Sequence, residues 1–437
     1  MRDSGRLAAA IEILDDFASR RTPLKIAIAD WARGARYAGA KDRAWISGLC
    51  LDALRRRNSL SVLMGADNGR ALAFGAMRAR WGLSLETLAE IAAEGPHGPG
   101  ALSEEEKDCL SSPKIGDNVA NHIRGDFPEW LSPHIERAFG EDAIDEMRAF
   151  AERADIDLRI NTLKAEPEQA LSALKKVKAS PAPLLKTAAR IAAPPASEKP
   201  AAITVIPAFN KGWVEVQDLG SQIAAAAAGD IKGAQVLDYC AGGGGKTLAL
   251  AALMENAGQI YAYDRDPRRL KPLFHRAKRA GARNLQIRSP SGSTDLEDLK
   301  SKMDVVFVDA PCSGAGTWRR HPDTKWRLTE KQLATRMGEQ DQVLREAAAF
   351  VRPGGKLIWV TCSFLMEENE DRLAAFLDEH EGFQFSPVLD GLRALGLLTN
   401  DRALKACETA DGALRLTPRR VRTDGFFIAV LEKKERS

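Results

Sequence analysis

No apolar run in this chain is long enough to span a bilayer, and its first residues lack a signal-peptide core. These absences predict no membrane partner and a cytoplasmic location. The six cysteines (50, 109, 240, 312, 362, 407) form no CxxC pair and no regular spacing. A disulfide framework and a zinc site are therefore not expected, and a reducing compartment is. The formal charge is only +3, too small to argue for nucleic acid by itself. No apolar heptad or dimer face stands out, which leaves a monomer as the expectation.

Hydrophobic residues make up 44% of 437 residues, enough for two or three domains with a sizeable core. Residues 1–80 place apolar side chains at helical spacing, through Leu7, Ile11, Leu14 and Phe17 and again through Ile46, Leu49, Cys50, Ala53 and Leu54. A small helical bundle with nothing catalytic in it is predicted there. Gly95-Pro96-His97-Gly98-Pro99-Gly100 breaks the pattern, and helix resumes from Pro128-Glu129-Trp130-Leu131 to Arg153. Strand-like alternation follows at Asp157 to Leu163, while residues 164–200, rich in Ala, Pro and Lys, read as one helix plus poorly packed connections. Gly212 to Asp218 reads as a strand and Ser221 to Ala228 as a helix. Beyond them, strands at 235–240, 259–263, 285–288, 304–308, 356–361 and 425–431 alternate with helices. That alternation predicts an α/β fold with a doubly wound, Rossmann-like, mostly parallel sheet, whose ligands sit at the carboxyl ends of the strands.

Three motifs occupy such ends. Val236-Leu237 leads into Asp238-Tyr239-Cys240-Ala241-Gly242-Gly243-Gly244-Gly245-Lys246-Thr247. A phosphate-binding P-loop would need glycine where Cys240 stands, and a dinucleotide fingerprint starting at Gly242 would need glycine where Thr247 stands. Four glycines still let a ligand rest against the main chain. One βα unit later Asp264 ends a strand, well placed to accept both ribose hydroxyls of an adenosine, while Asp266 before Pro267 is the better helix cap. An adenosine-bearing cofactor without a pyrophosphate is implied, and S-adenosyl-L-methionine fits best.

The other two motifs carry thiols. Asp309-Ala310-Pro311-Cys312-Ser313 follows the run Val305 to Val308, and Thr361-Cys362-Ser363 follows Leu357 to Val360. One cysteine at a strand end is most often a small buried hydrophobe. Two, each in a polar turn before an expected helix start, point to nucleophilic chemistry, because positive charge or a helix N-terminus raises the thiolate fraction. Charge clusters nearby. Residues 265–283 hold Arg265, Arg268, Arg269, Lys271, Arg276, Lys278, Arg279 and Arg283 against Asp266 alone, and Arg319, Arg320, Lys325 and Arg327 follow the first thiol. A charge run is usually a solvated face. The position of 318–327 favours a phosphate-binding surface there, and that of 265–283 does so more weakly.

The stretch from Asp309 through Gly316-Thr317-Trp318-Arg319-Arg320-His321-Pro322-Asp323 to Arg327 is similar to the RsmB/Sun family of RNA cytosine-5 methyltransferases. Thr361-Cys362-Ser363-Phe364-Leu365-Met366-Glu367-Glu368-Asn369-Glu370 resembles that family's second signature. Gln217-Asp218 with Ser221-Gln222, Leu158 to Thr162, and Thr423 to Ala429 resemble three more, and the N-terminal helices resemble a NusB-like domain. The resemblance implies residues 1–125 as a NusB-like RNA-binding domain, 126–210 as a connecting α+β RNA-binding region, and 211–437 as the catalytic domain. It implies methyl transfer from S-adenosyl-L-methionine to C5 of a cytosine, with 16S ribosomal RNA, protein-free or in an early assembly intermediate, as partner. Cys362 then becomes the nucleophile, Cys312 the thiol that assists product release, and Asp309 the partner of the cytosine edge, with Lys246 between cofactor and base. The cofactor loop becomes Cys240, Ala241, Gly242, Gly243, Gly244, Gly245 and Lys246, with Asp264 on the ribose and Asp309 near the methyl group. Two positions depart from the family. Gly242-Gly243 replaces its usual Ala-Pro, giving a floppier loop, and Arg288-Ser289-Pro290-Ser291-Gly292-Ser293 offers hydroxyls where an Asp usually stands near the adenine. A catalytically weak or inactive ribosome-assembly factor and a transfer RNA methyltransferase therefore stay open as alternatives.

Overall fold

The computed structural model describes every residue except 113–115, 117, 196–197, 199–200, 289, 291–295 and 436–437. The serines at 289, 291 and 293, read above as hydroxyl donors near the adenine, thus lie outside the described residues. The chain divides into two compact units. The first gathers Met1–Arg153 with Trp318–Leu328 and a short stretch after Ala192; the second holds most of the remainder.

In the first unit the helices Asp3–Arg20, Leu24–Gly34, Ala40–Arg55, Arg57–Met64 and Gly69–Ala79 cover the span that periodicity marks as helical. Leu7, Ile13, Leu14, Phe17, Ile46, Leu49 and Phe74 form their shared core. Caps set the boundaries: Asn68 accepts from the Ala71 amide at one helix start, and Ser103 with Glu106 forms a capping box at another.

The segment Trp318–Leu328 corrects one expectation. Two of its four cations, Arg319 and Lys325, do not lie on the surface. Trp318, Arg319, Asp323 and Lys325 are buried inside this unit. Lys325 Nζ donates to the carbonyls of Arg55 (2.9 Å) and Asp126 (2.5 Å), and Trp326 Nε1 donates to Leu54 O (2.6 Å). Arg55 returns a bond to Arg319 O (2.7 Å). Lys325 thus satisfies carbonyls that would otherwise be left unpaired in the interior, and Arg327 Nε donates to the carbonyl of Arg21 just past the first helix.

The second unit contains two sheets. The smaller has the order β2-β3-β1-β4, formed by β1 (Ile156–Ile160), β2 (Ser180–Pro181), β3 (Ala188–Ile191) and β4 (Val214–Val216). Residues 164–200 hold the one expected helix, Pro167–Ala173, but part of the remainder is well packed: β3 is buried throughout, and Leu184 and Leu185 join the core. Packing overrides the weak strand propensity of alanine here.

The larger sheet has the order β10-β12-β9-β8-β5-β6-β7, with β11 paired to β12. Its strands are β5 (Gln235–Asp238), β6 (Gln259–Tyr263), β7 (Leu285–Arg288), β8 (Met303–Asp309), β9 (Val351–Thr361), β10 (Phe383–Ser386), β11 (Leu414–Leu416) and β12 (Phe426–Lys433). The run β9-β8-β5-β6-β7 is parallel, and β12 closes antiparallel on β9. The order reverses between β5 and β8, which places the switch point, and hence the ligand crevice, beside the three motifs. Among the described residues no helix is long and apolar enough to cross a membrane.

Candidate active site

The glycine loop joins β5 to the helix Gly245–Leu253. Gly244 has φ +80°, and a Cβ there would lie 2.2 Å from Leu273 Cδ1, so both conformation and space demand glycine. Below the loop, buried Asp238 accepts from Thr247 Oγ1 at 2.6 Å. Burial, then the charges of Asp309 and Asp264, push the Asp238 carboxyl up to about 7. The loop is less floppy than its glycines suggest. Arg276 Nη1 donates to Gly243 O at 2.6 Å, while its Nη2 pairs with buried Glu215, which also pairs with Arg279.

Asp266 does cap the next helix, its Oδ1 accepting from the Arg268 amide. Asp264 is not thereby left free. One oxygen accepts from the Gly242 amide (3.0 Å), the other from the Asp266 amide (2.9 Å), and Arg269 pairs with it at 3.2 Å. A carboxylate has about four acceptor sites, so two main-chain donors leave capacity for ribose hydroxyls. Asp264 lines a cavity of about 570 Å³ with Tyr239, Cys240, Tyr263, Arg269 and Pro311. A buried carboxylate and two tyrosine rings around such a cavity fit an adenosine-bearing cofactor.

The two thiols meet at the ends of β8 and β9, where Asp309 lies opposite Val360 in parallel register. Cys312 Sγ and Cys362 Sγ are 3.4 Å apart. The Cys362 contact first, then burial and the charge of Glu368, hold the Cys312 thiol well above its ordinary value. Cys240 is also pushed well up, by burial and then by Asp238, Asp309 and Asp264, which suits a packing role. Lys246 Nζ donates to Asp309 Oδ2 at 2.8 Å and lies 5.4 Å from the centroid of the Phe426 ring. Burial works against the Lys246 charge, but Asp309 outweighs it and Cys362 adds to it, so its pKa is raised. Sequence reasoning thus named groups that converge: Asp309 bonds Lys246, whose charge Cys362 helps to stabilise, and Cys312 touches Cys362. After the first thiol the expected helix start is a three-residue 3₁₀ turn, Ala315–Thr317; after the second, the turn Met366–Glu368 leads into the helix Glu370–Glu379, eight residues beyond Cys362. Lysine, rather than a helix end, supplies the positive charge near Cys362.

Sequence reasoning missed the brace that holds the two thiol loops together. Buried Glu368 accepts from the Ser313 amide (2.7 Å), Ser313 Oγ (2.5 Å) and Gln340 Nε2 (3.1 Å). Gln340 also donates to Pro311 O, and the Gly316 amide donates to Cys362 O. Asn369 accepts from Thr361 Oγ1 and donates to the carbonyls of Ser363 and Leu365, folding the Thr-Cys-Ser turn upon itself. Glu368 and Asn369 stand in the second signature and could have been singled out from it. Gln340, within the polar helix Glu330–Ala348, carries no sequence signal.

Residues 229–432 match the family model "16S rRNA methyltransferase RsmB/F", and residues 127–198 match that family's ferredoxin-like domain. The chain is 33% identical over 314 residues to "Probable ribosomal RNA small subunit methyltransferase B" of Synechocystis sp., covering 70% of this chain and 67% of that one. The crystal structure of PH0851 superposes with a TM-score of 0.71 at 25% identity, covering 99% of both chains. NSun6 from Pyrococcus horikoshii, solved with SFG, an analogue of S-adenosylmethionine, shares the fold at a TM-score of 0.59 and 23% identity, over 71% of this chain and 99% of that one. The chain belongs to the RsmB/F family of S-adenosylmethionine-dependent RNA methyltransferases.

Proposed function

We propose that the protein methylates C5 of a cytosine in 16S ribosomal RNA, acting as a cytoplasmic monomer on protein-free or early-assembly RNA. The observation that carries this reading is the 3.4 Å pair of thiols beside the Lys246–Asp309 ion pair. C5 of cytosine is a poor nucleophile, and a thiolate adding at C6 makes it enamine-like. Cys362 forms the S–C6 bond, the displaced electron pair reaches C5, and after methyl transfer the C5 proton passes to a base as the S–C6 bond breaks. S-adenosylmethionine, when bound, supplies the electrophilic methyl group.

Each residue's part follows from its surroundings. Lys246 carries its positive charge close to Cys362, while the Cys362 contact, burial and Glu368 raise the pKa of the Cys312 thiol. That placement, with Cys362 in the Thr-Cys-Ser signature, supports Cys362 as nucleophile and Cys312 as the thiol that assists release. Asp309, fixed by Lys246, is the acceptor for the cytosine edge near N3 and N4. The loop from Cys240 to Lys246 and Asp264 would hold the cofactor, Asp264 taking the ribose. The target base must leave any stack, at about a few kcal/mol, least for an exposed base. A loop or unfolded precursor is favoured because duplex RNA hides its base edges. Residues 1–125, as a NusB-like domain, and 126–210, as a connecting region, would add RNA contacts to the catalytic part at 211–437.

Covalent trapping tests the reading. Protein-free 16S RNA and labelled S-adenosylmethionine are incubated with wild type, Cys312→Ala and Cys362→Ala, then run on a denaturing gel. Cys312→Ala should accumulate a protein–RNA adduct, and Cys362→Ala should give neither adduct nor labelled RNA. The reverse pattern would make Cys312 the nucleophile. No labelling by wild type would remove 16S RNA as substrate and turn attention to transfer RNA or an assembly role.

A further inference from the structure

The helix Pro267–Ala280 turns Leu270, Leu273 and Ala280 inward against Leu248 and Ala262, which fixes the direction of its other face. That outer face exposes Lys271, Phe274, His275 and Lys278, residues three, four and seven apart. Phe274 is 62% exposed, with a lysine on either side of it along the helix. The helix contains no acidic residue, and Asp266, just before it, is already bonded to Arg268. A lone exposed phenylalanine needs no explanation, and neither does a lone solvated lysine. Here the two occur together, and the combination continues beyond the helix.

At the helix C-terminus, Asn161 Nδ2 donates to both Ala280 O and Gly212 O, each at 2.8 Å, joining the helix to the segment that leads into β4. Gly212 has φ +75°, and a Cβ there would lie 2.0 Å from Arg279 O, so this seam admits only glycine. Across it the Arg279 guanidinium lies 3.9 Å from the centroid of the Phe209 ring, and Lys211 Nζ lies 4.8 Å from that of Trp213. Exposed Lys164 reaches the same corner, against Gly281. The result is a strip of cations alternating with aromatic rings, and its helical end starts at the residues that line the cofactor cavity.

We propose that this strip, Lys211 and Trp213 through Lys278 and Phe274 to Lys271, is a track for a single-stranded segment of the RNA substrate. It rests on the RNA-methyltransferase reading above. Unneutralised lysines match the phosphate backbone, and a ring exposed between them offers a stacking surface to any base. A duplex, its bases already stacked, would find no use for Phe274.

Fluorescence anisotropy with a labelled 20-nucleotide single-stranded RNA tests the track in the full-length protein. The paired reversals Lys271→Glu and Lys278→Glu should weaken binding about tenfold or more and lower the slope of log Kd against log salt by about 1.4 for two lost contacts. Phe274→Ala should weaken binding about tenfold with that slope unchanged, and Phe274→Trp should restore it. S-adenosylmethionine affinity, measured by calorimetry, should stay at the wild-type value in all variants. Reversals at Lys300 and Lys405, exposed lysines elsewhere on the same unit, serve as the reference. If track reversals weaken binding no more than these, the track is refuted. If Phe274→Ala equals wild type, the single-strand assignment is refuted. Should wild type bind no RNA in this assay, it is the RNA reading itself that fails, and the track with it.

Discussion

The proposed mechanism asks Cys312 to keep its proton. Cys362 is the largest cause of the raised Cys312 pKa, ahead of burial and Glu368. Removing it by Cys362→Ala should lower the Cys312 pKa, so that alkylation of Cys312 by iodoacetamide extends to lower pH than in wild type. Adding Glu368→Gln should extend it further, because a negative charge that opposes the thiolate is gone. Glu368→Ala is a harsher change. It leaves the Ser313 amide and the Gln340 side chain without their buried acceptor, about 1–3 kcal/mol for each group, and should lower kcat with S-adenosylmethionine affinity unaffected. Separate measurement of kcat and cofactor Kd checks that division. At this scale the sequence was readable where short motifs stand at strand ends: Cys312, Cys362, Asp309 and Lys246 all lie in them and converge in the structure. The brace behind them was not. Gln340 reaches Pro311 from 29 positions away, and nothing local to Gln340 announces that contact.

Elements tell a similar story with different failures. β6 and β7 fall where periodicity puts them, because both are edged by turn residues and carry apolar side chains at alternate positions, Ile260 and Ala262 in one, Leu285 and Ile287 in the other. β10 and β11 were not anticipated, being only four and three residues long. β3, rich in alanine, passes for a connection until the small sheet packs around it. The glycine loop is the instructive case. Gly242 and Gly243 predict flexibility, yet the arginines of the following helix hold the loop in place, Arg276 on the Gly243 carbonyl and Arg269 beside Gly242. Stiffness that a proline would have placed in the loop itself comes instead from a neighbouring element. Arg276→Ala should therefore raise the S-adenosylmethionine Kd about tenfold, the effect of losing one charge-assisted hydrogen bond of about 1.5 kcal/mol. Arg276→Lys, which lacks the fork that spans Gly243 and Glu215, should recover only part of it. Calorimetric titration of the cofactor distinguishes the three proteins.

For the molecule as a whole, the segment Trp318–Leu328 matters most, because it ties pH to stability. Burial, against the opposing pull of Asp126 and with Arg56 and Arg55 adding to it, brings the Lys325 pKa down to about 7. An unfolded lysine titrates near 10.4, so between about pH 7 and 10 the unfolded chain binds more protons than the folded one. The contribution of Lys325 to stability should rise across that window and level off below it. Between pH 7 and 9 the change in Tm should be less favourable in Lys325→Met than in wild type, as thermal unfolding of the two proteins at both pH values would show. Reading this lysine as a phosphate ligand was reasonable from sequence, since its partners at Arg55 and Asp126 lie 270 and 199 positions upstream. The same segment has a consequence for how the chain is made. The helical unit emerges first from the ribosome, yet it cannot be finished until residue 328 has been added, a wait of about 10–35 s at ~5–20 residues per second. During that interval the carbonyls that Lys325 and Trp326 will cover stay with water. Nor can the unit be inherited as a removable cassette, since recombination at residue 153 would strand one of its own core pieces inside a different gene segment.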